Sequence, residues 1–221
     1  MTNFALWLDS AFHSFDLGVL RFYNGLALKA GNFLTPLMNF ISFFGKGGIF
    51  SIIFTLTLIL FAKTRNAGLT GLIAFLIGVI LVNVILKPLV LRARPYTHSE
   101  INEWWQLVGA NTESDYSFPS GHVSAFTTAL LGTSFALKNK KWLFLTLPCA
   151  LLMAVSRNYL MMHYATDVLA SFITSTIAIV LALLIVKLIY KKLENTENKF
   201  TTFMLTASIV NLFKKKEKTE K

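Results

Sequence analysis

The stretch "VLASFITSTIAIVLALLIV", residues 168–186, runs without a single charged side chain between Asp167 and Lys187. A helix needs about 20 predominantly apolar residues to cross the hydrocarbon core of a bilayer. This stretch has that length and that composition. It therefore predicts a membrane-spanning helix with a charged residue at each end.

Four other apolar stretches precede this one in the chain. Only 14% of the 221 residues are charged and 54% are hydrophobic, whereas a soluble domain carries about 25% charged residues. A chain of this length has no outer shell to cover five buried helices. The sequence therefore predicts an all-α, polytopic transmembrane helical bundle with five clear spans: residues 47–62, 66–86, 121–137, 142–160 and 168–186.

The two ends of the chain differ from this core, residues 47–192. Residues 1–46 mix apolar residues with polar ones at loosely helical spacing, which favours an interfacial or re-entrant helical segment over a sixth span. We expect no cleaved signal peptide, since no basic stretch precedes a clean apolar one. Residues 193–221 are predicted to form a basic cytoplasmic tail on anionic lipid, with a disordered end as the alternative. The single cysteine, Cys149, excludes an internal disulfide.

Basic residues orient the predicted bundle. They cluster in the loops at 63–65 and 138–141 and after residue 186, whereas the segment 96–119 has no lysine or arginine and four acidic residues. By the positive-inside rule, segment 96–119 faces away from the cytoplasm. The net charge of +10 is thus assigned to topology and lipid head groups rather than to nucleic acid. We expect a multi-pass plasma-membrane protein.

A small set of polar residues remains at the outward ends of the predicted helices. Ionisable groups at membrane depth are costly and by default functional. Asp167 stands four residues after His163, so the two can touch on one helical turn and the carboxylate can orient the imidazole. A helix-capping aspartate is the alternative. The whole set is Lys87, Arg92, Arg94, Ser120, His122, Arg157, His163 and Asp167.

Three cations in this set require an anion. Lys87, Arg94 and Arg157 lie on the face where the positive-inside trend predicts few basic residues, and guanidinium groups match phosphate oxygens in a bidentate manner. The turn at Ser120 and Gly121, at the start of a helix, offers a hydroxyl and backbone N–H groups to the same anion. The sequence therefore predicts a phosphoryl-binding site. Arg92 is interpreted instead as a snorkelling interfacial residue.

Two histidines at one phosphate indicate a division of roles. A histidine held by a carboxylate can attack phosphorus, and the other can protonate the leaving oxygen and later activate water. Two histidines and an aspartate are also metal ligands, but three nearby cations would repel a divalent ion. We therefore predict a site with no metal and no cofactor.

These residues occur in an arrangement that resembles the type 2 phosphatidic acid phosphatase superfamily, which includes vanadium haloperoxidases and membrane lipid phosphatases. The resemblance covers residues 45–190, and no clean span precedes residue 46, unlike in six-span members. It implies that His163 is the nucleophile, oriented by Asp167, that His122 is the general acid and base, and that the site needs no metal. The matching motifs are Lys87 with Arg94-Pro95, Pro119-Ser120-Gly121-His122, and Ser156-Arg157 with His163 and Asp167.

The resemblance also implies a lipid phosphate as substrate and the bilayer as the environment. Undecaprenyl diphosphate is the preferred substrate, with phosphatidylglycerol phosphate, phosphatidate and lipid A phosphates as alternatives. A channel or transporter is a different class, but it predicts charges at mid-helix depth, whereas these lie at helix ends. A phosphate-binding scaffold without turnover would not need both His122 and His163.

Overall fold

A computed structural model describes residues 1–196, and all regular structure within them is helical. The all-α prediction is therefore confirmed. Residues 197–221, which include most of the predicted basic tail, lie outside the described residues. In chain order the helices are α1 (Asn3–Ala11), α2 (His13–Phe43), α3 (Ile49–Ile59), α4 (Arg65–Val79), α5 (Lys87–Val90), α6 (Ser99–Val108), α7 (Gly121–Ala136), α8 (Leu143–Tyr159) and α9 (Ala165–Glu194).

Helix α7 lies at the centre of the bundle. Every residue from Val123 to Ser134 is buried, including five serines and threonines, because other helices surround α7. Helices α3, α4, α8 and α9 pack around it, and α2 packs along α8. The large apolar side chains on the outside of α9, such as Ile173, Leu184 and Leu188, are exposed, which suits a lipid environment.

Glycines allow α4 to approach its neighbours closely. A Cβ atom on Gly68 would lie 2.7 Å from the Thr55 carbonyl oxygen of α3, and one on Gly71 would lie 2.9 Å from the Ala129 carbonyl oxygen of α7. These distances are too short for carbon against a carbonyl oxygen, so a side chain at either position would push the helices apart. The two glycines thus fix the packing of the central helices.

Three segments of the described chain are long and apolar enough to cross a membrane: His13–Ile59, Arg65–Thr97 and Ala165–Glu194. The predicted number of five spans is therefore not confirmed. Helices α7 and α8 contain 16 and 17 residues. At 1.5 Å per residue they are about 24 and 26 Å long, shorter than the roughly 30 Å hydrocarbon core.

The N-terminal segment forms a longer helix than its sequence indicates. Helix α2 has 31 residues, contains Pro36 and is kinked at Ala30, where the backbone leaves helical geometry. At about 46 Å it has the length for a crossing. The assignment of residues 1–46 to the interface, and the three-part division of the chain, stay predictions.

The segment that follows α4 carries two cations, Lys87 and Arg94, at one end of the bundle. The helix continues as a π-helical turn, Ile80–Leu86, and then as α5. Leu91 has a left-handed backbone conformation (φ 53°), which ends the helix. The chain then runs extended through Arg94 into Pro95. Lys87 and Arg94 thereby lie on either side of this helix end.

Candidate active site

The residues predicted to form the site come together at one end of the bundle. Lys87 begins α5, His122 lies in the first turn of α7, and Arg157 lies in the last turn of α8. His163 lies in the connection between α8 and α9, and its Nε2 atom is 3.2 Å from Nη1 of Arg94. Helix ends from four parts of the sequence therefore meet around one point.

His163 is fully buried and is held in one tautomer. Its Nδ1 atom lies 2.8 Å from the backbone carbonyl oxygen of Ser117, so this nitrogen carries the proton and donates it. The Nε2 atom is then unprotonated and accepts a hydrogen bond from Nη1 of Arg94 at 3.2 Å. A neutral imidazole with an unprotonated Nε2 is the form that can act as a nucleophile.

Asp167 contacts His163 less directly than predicted. Its Oδ2 atom is 3.7 Å from the Nδ1 atom of His163, which is an ion-pair distance rather than a hydrogen bond. The same oxygen accepts from the Ser117 hydroxyl at 2.5 Å and from the Tyr164 backbone N–H at 2.9 Å. In this geometry the Ser117 carbonyl orients the imidazole, and Asp167 holds Ser117.

The interpretation of Arg92 as a snorkelling residue is wrong. Its side chain is 1% exposed, and its Nη1 atom donates to Oδ1 of Asp167 at 2.6 Å. It also donates to Asp9 and Asp16, each at 2.8 Å, and its guanidinium lies 4.0 Å from the centre of the Tyr164 ring. A snorkelling side chain would reach water. This arginine is instead buried inside the protein, where three carboxylates balance its charge.

Asp16 connects the N-terminal segment to the start of α9. Its carboxylate is 3% exposed and accepts from the backbone N–H and the hydroxyl of Thr166, at 2.9 and 2.7 Å. Because Thr166 adjoins Asp167, α2 is bonded directly to the helix that carries the predicted catalytic carboxylate. The sequence shows a carboxylate in a segment of mixed polar and apolar composition, and this pattern does not identify a buried partner.

Two carboxylates of segment 113–115 lie among the predicted phosphate-binding cations. The Oε1 and Oε2 atoms of Glu113 lie 2.6 Å from Arg157 Nη2 and 2.6 Å from Arg94 Nη2, respectively. Asp115 forms ion pairs with Lys87 and with Arg94. All three cations therefore have a carboxylate partner in this structure.

These cations keep both carboxylates ionised. Burial alone would raise the pKa of Glu113, but the guanidinium groups of Arg157 and Arg94 outweigh burial and hold the pKa at about 2. Burial likewise opposes ionisation of Asp115, and Lys87 and Arg94 lower its pKa.

Burial, followed by Arg94 and Arg157, holds the pKa of His163 well below its ordinary value. His163 is therefore neutral at neutral pH.

The turn before α7 has the predicted geometry. Ser120 is buried and caps α7, and its hydroxyl accepts from the Val123 N–H at 3.5 Å. His122 follows with its Nδ1 atom 3.8 Å from Oε1 of Glu113. Gly121 and His122 line a cavity of about 530 Å³, together with Asn83, Lys87, Glu113 and Asp115. The cavity gives a ligand access to the start of the helix.

Arg157 has one buried side-chain nitrogen without a partner in the described part of the chain. Its Nη1 atom donates to the Ser42 hydroxyl at 2.7 Å, and its Nη2 atom donates to Glu113. Its buried Nε atom has no hydrogen-bond partner among the residues that the structure describes. A buried unsatisfied donor costs free energy, so this atom favours an acceptor supplied by a ligand.

Sequence reasoning missed the residues that support and fill the site. Asp16 and Arg92 were assigned to an interface, Ser117 was not considered, and Glu113 and Asp115 served only to orient the protein. Within residues 1–196 no group of three or more His, Cys, Asp and Glu side chains could hold a metal ion. The absence of a metal requirement stays a prediction.

Known proteins share parts of this sequence. The sequence matches the PAP2 superfamily over residues 68–193. An undecaprenyl-diphosphatase of Sulfolobus acidocaldarius is 32% identical over 152 residues, 68% of each chain. A lipid A 4′-phosphatase of Porphyromonas gingivalis is 27% identical over 104 residues, 43% of this chain and 44% of the relative.

A solved structure has the same architecture. The transmembrane PAP2-type phosphatidylglycerolphosphate phosphatase from Bacillus subtilis superimposes with a TM-score of 0.61 at 25% identity, covering 86% of this chain and 93% of the other. The fold and the relatives define a helical membrane protein of the phosphatase class. The chain belongs to the PAP2 superfamily.

Proposed function

We propose that this protein hydrolyses a lipid phosphate monoester or diphosphate through a phosphohistidine intermediate. The observation that carries the proposal is the environment of His163. A backbone carbonyl 2.8 Å away fixes the proton on Nδ1, and Nε2 lies 3.2 Å from Arg94. A nucleophilic nitrogen therefore faces a cation that can hold the phosphoryl group under attack.

The proposed reaction has two steps. In the first, His163 Nε2 forms a bond to phosphorus, the bond to the leaving oxygen breaks, and His122, which must enter this step as the imidazolium, gives that oxygen a proton and becomes neutral. In the second, His122 takes a proton from water, the water oxygen attacks phosphorus, and the N–P bond breaks to release inorganic phosphate and neutral His163. Lys87, Arg94 and Arg157, with Ser120 and the Gly121 N–H, are proposed to hold the phosphate oxygens.

The preferred substrate is undecaprenyl diphosphate, because the Sulfolobus relative is an undecaprenyl-diphosphatase. Phosphatidylglycerol phosphate and lipid A phosphates are the alternatives that the other relatives favour. Phosphatidate is a further alternative. The test is phosphate release by the purified protein from these four lipids, each at several concentrations. The highest kcat/KM identifies the substrate, and no release from any of them would refute the proposal.

We expect phosphatase activity to persist in EDTA. Lys87, Arg94 and Arg157 supply the positive charge that a metal would otherwise bring to the phosphate. The measurement is phosphate release before and after dialysis against chelator, with each divalent ion then added back. Activity that disappears on chelation and returns with one particular ion would contradict a metal-independent mechanism.

We propose that the site faces away from the cytoplasm at the plasma membrane. Asn111 lies beside the site and Asn139 lies at the opposite, lysine-rich end, and both are exposed. In a Cys149→Ala background, Asn111→Cys is expected to react with an impermeant thiol reagent on intact cells, whereas Asn139→Cys reacts only after lysis. The reverse pattern would place the site in the cytoplasm.

A further inference from the structure

The predicted phosphate site is already filled by anions of the chain itself. We call residues Glu113, Ser114 and Asp115 the acidic segment. Its two carboxylates make four ion pairs with the three cations, two to Arg94 and one each to Lys87 and Arg157. Carboxylate oxygens and phosphate oxygens bind guanidinium groups in the same way, so the acidic segment occupies the positions that a phosphate would take.

The cations of these pairs are buried, whereas the carboxylates reach water. The side chains of Lys87, Arg94 and Arg157 are 7%, 2% and 4% exposed, but those of Glu113 and Asp115 are 25% and 49% exposed. Breaking these pairs without a replacement would leave a buried cation uncompensated, but the exposed edges of the two carboxylates let another anion approach. An incoming phosphate can therefore take the place of the carboxylates while the cations stay paired with an anion.

The backbone of the acidic segment has anchors that do not depend on these ion pairs. The Tyr96 hydroxyl donates to the Glu113 carbonyl oxygen at 2.9 Å, and Arg94 Nε donates to the Asp115 carbonyl oxygen at 2.9 Å. A rotation of the two acidic side chains would leave these hydrogen bonds in place. The carboxylates would then stay close enough to return to the cations.

We propose that Glu113 and Asp115 form an internal anion that the substrate phosphate displaces and that later expels the inorganic phosphate product. This rests on the proposed function, in which the same cations hold the phosphoryl group. Three cations without a competitor would retain phosphate tightly, because each charge-assisted contact slows its release. The returning carboxylates replace those contacts, so product leaves from a site that is never without an anion.

The test is the affinity of the detergent-solubilised full-length protein for inorganic phosphate, measured by isothermal titration at pH 7.5. In the double variant Glu113→Gln/Asp115→Asn we expect binding to be at least about tenfold tighter. The phosphate inhibition constant and KM should fall by a similar factor, because substrate and product displace the same anion. Each single variant should give a smaller shift in the same direction, and these variants serve if the double variant fails to fold.

The matched control is Glu103→Gln, which removes an exposed negative charge from α6 on the same side of the protein. It should leave phosphate affinity unchanged. Unchanged or weaker binding in the acidic-segment variants would overturn the inference, since the carboxylates would then only hold the cations in place. An equal gain in Glu103→Gln would also overturn it, because the effect would be general electrostatics.

Phosphate binding does not require turnover, so the two proposals fail separately. If no lipid on the panel is hydrolysed but phosphate binds more tightly to the double variant, the proposed function fails and the internal anion stands. If a lipid is hydrolysed and the double variant binds phosphate as the unmodified protein does, the internal anion fails and the phosphatase stands.

Discussion

His163→Ala is expected to leave no phosphoenzyme and no turnover with any substrate. The imidazole is the only proposed nucleophile, and removing it eliminates the covalent route rather than slowing it. The measurement is acid-labile phosphoenzyme trapped by rapid quench, together with phosphate release from the best lipid substrate. His98→Ala, which removes an exposed histidine from the same end of the protein, is the control and should retain full activity.

His122→Ala should behave differently, because general acid catalysis contributes about 10²–10⁴-fold and depends on the leaving group. Its loss should be severe on a lipid alkoxide and much smaller on p-nitrophenyl phosphate, whose leaving group needs little protonation. Trapped phosphohistidine in His163→Ala but not in His122→Ala would show that the two roles are exchanged.

Arg92→Met is expected to destabilise the protein by about 3–5 kcal/mol, because removing one partner of a buried ion pair leaves an uncompensated charge. Here Asp16 and Asp167, at 3% and 0% exposure, both lose their cation. The measurement is thermal or denaturant unfolding in detergent. The stability of Arg92→Lys should fall between that of Arg92→Met and that of the unmodified protein. Lysine keeps the positive charge but cannot donate to several carboxylates at once.

The matched control for Arg92 is Arg21→Met. Arg21 pairs with Glu100 at 3.2 Å, but both side chains are more than half exposed. Exposed pairs contribute about 0–1 kcal/mol, so this variant should be nearly as stable as the unmodified protein. Equal stabilities for Arg92→Met and Arg21→Met would contradict the structural role assigned to Arg92.

The sequence predicted the cations and histidines of the site because helix ends constrain where those residues lie. Arg94, Arg157 and His163 end or begin apolar stretches on one predicted face, and helices of a bundle must pack side by side. No comparable constraint acts on Glu113 and Asp115. They lie between α6 and α7, in a segment without helical structure, so no periodicity indicates where their side chains point.

The pairing of Asp16 with Arg92 and Thr166 was hidden for a different reason. Asp16 is 76 positions from Arg92 and 150 positions from Thr166 in sequence, and a single sequence does not indicate which distant residues pair. A charge near an apolar stretch is compatible with a lipid interface or with a buried partner. Only the packing of the helices distinguishes a charge at the lipid interface from a charge with a buried partner, because it determines whether the side chain is buried.

The same separation has a consequence for the order in which the protein assembles during synthesis. Asp16 is made 150 residues before Thr166, and a chain grows at about 5–20 residues per second, so Thr166 follows Asp16 by about 8–30 seconds. A buried unpaired carboxylate would be costly throughout that time. We therefore expect the amphipathic first segment to remain at the membrane surface and to dock last, after α9 emerges. The mixed polar and apolar composition of this segment would then suit both the membrane surface, where it lies during synthesis, and its final position in the folded protein.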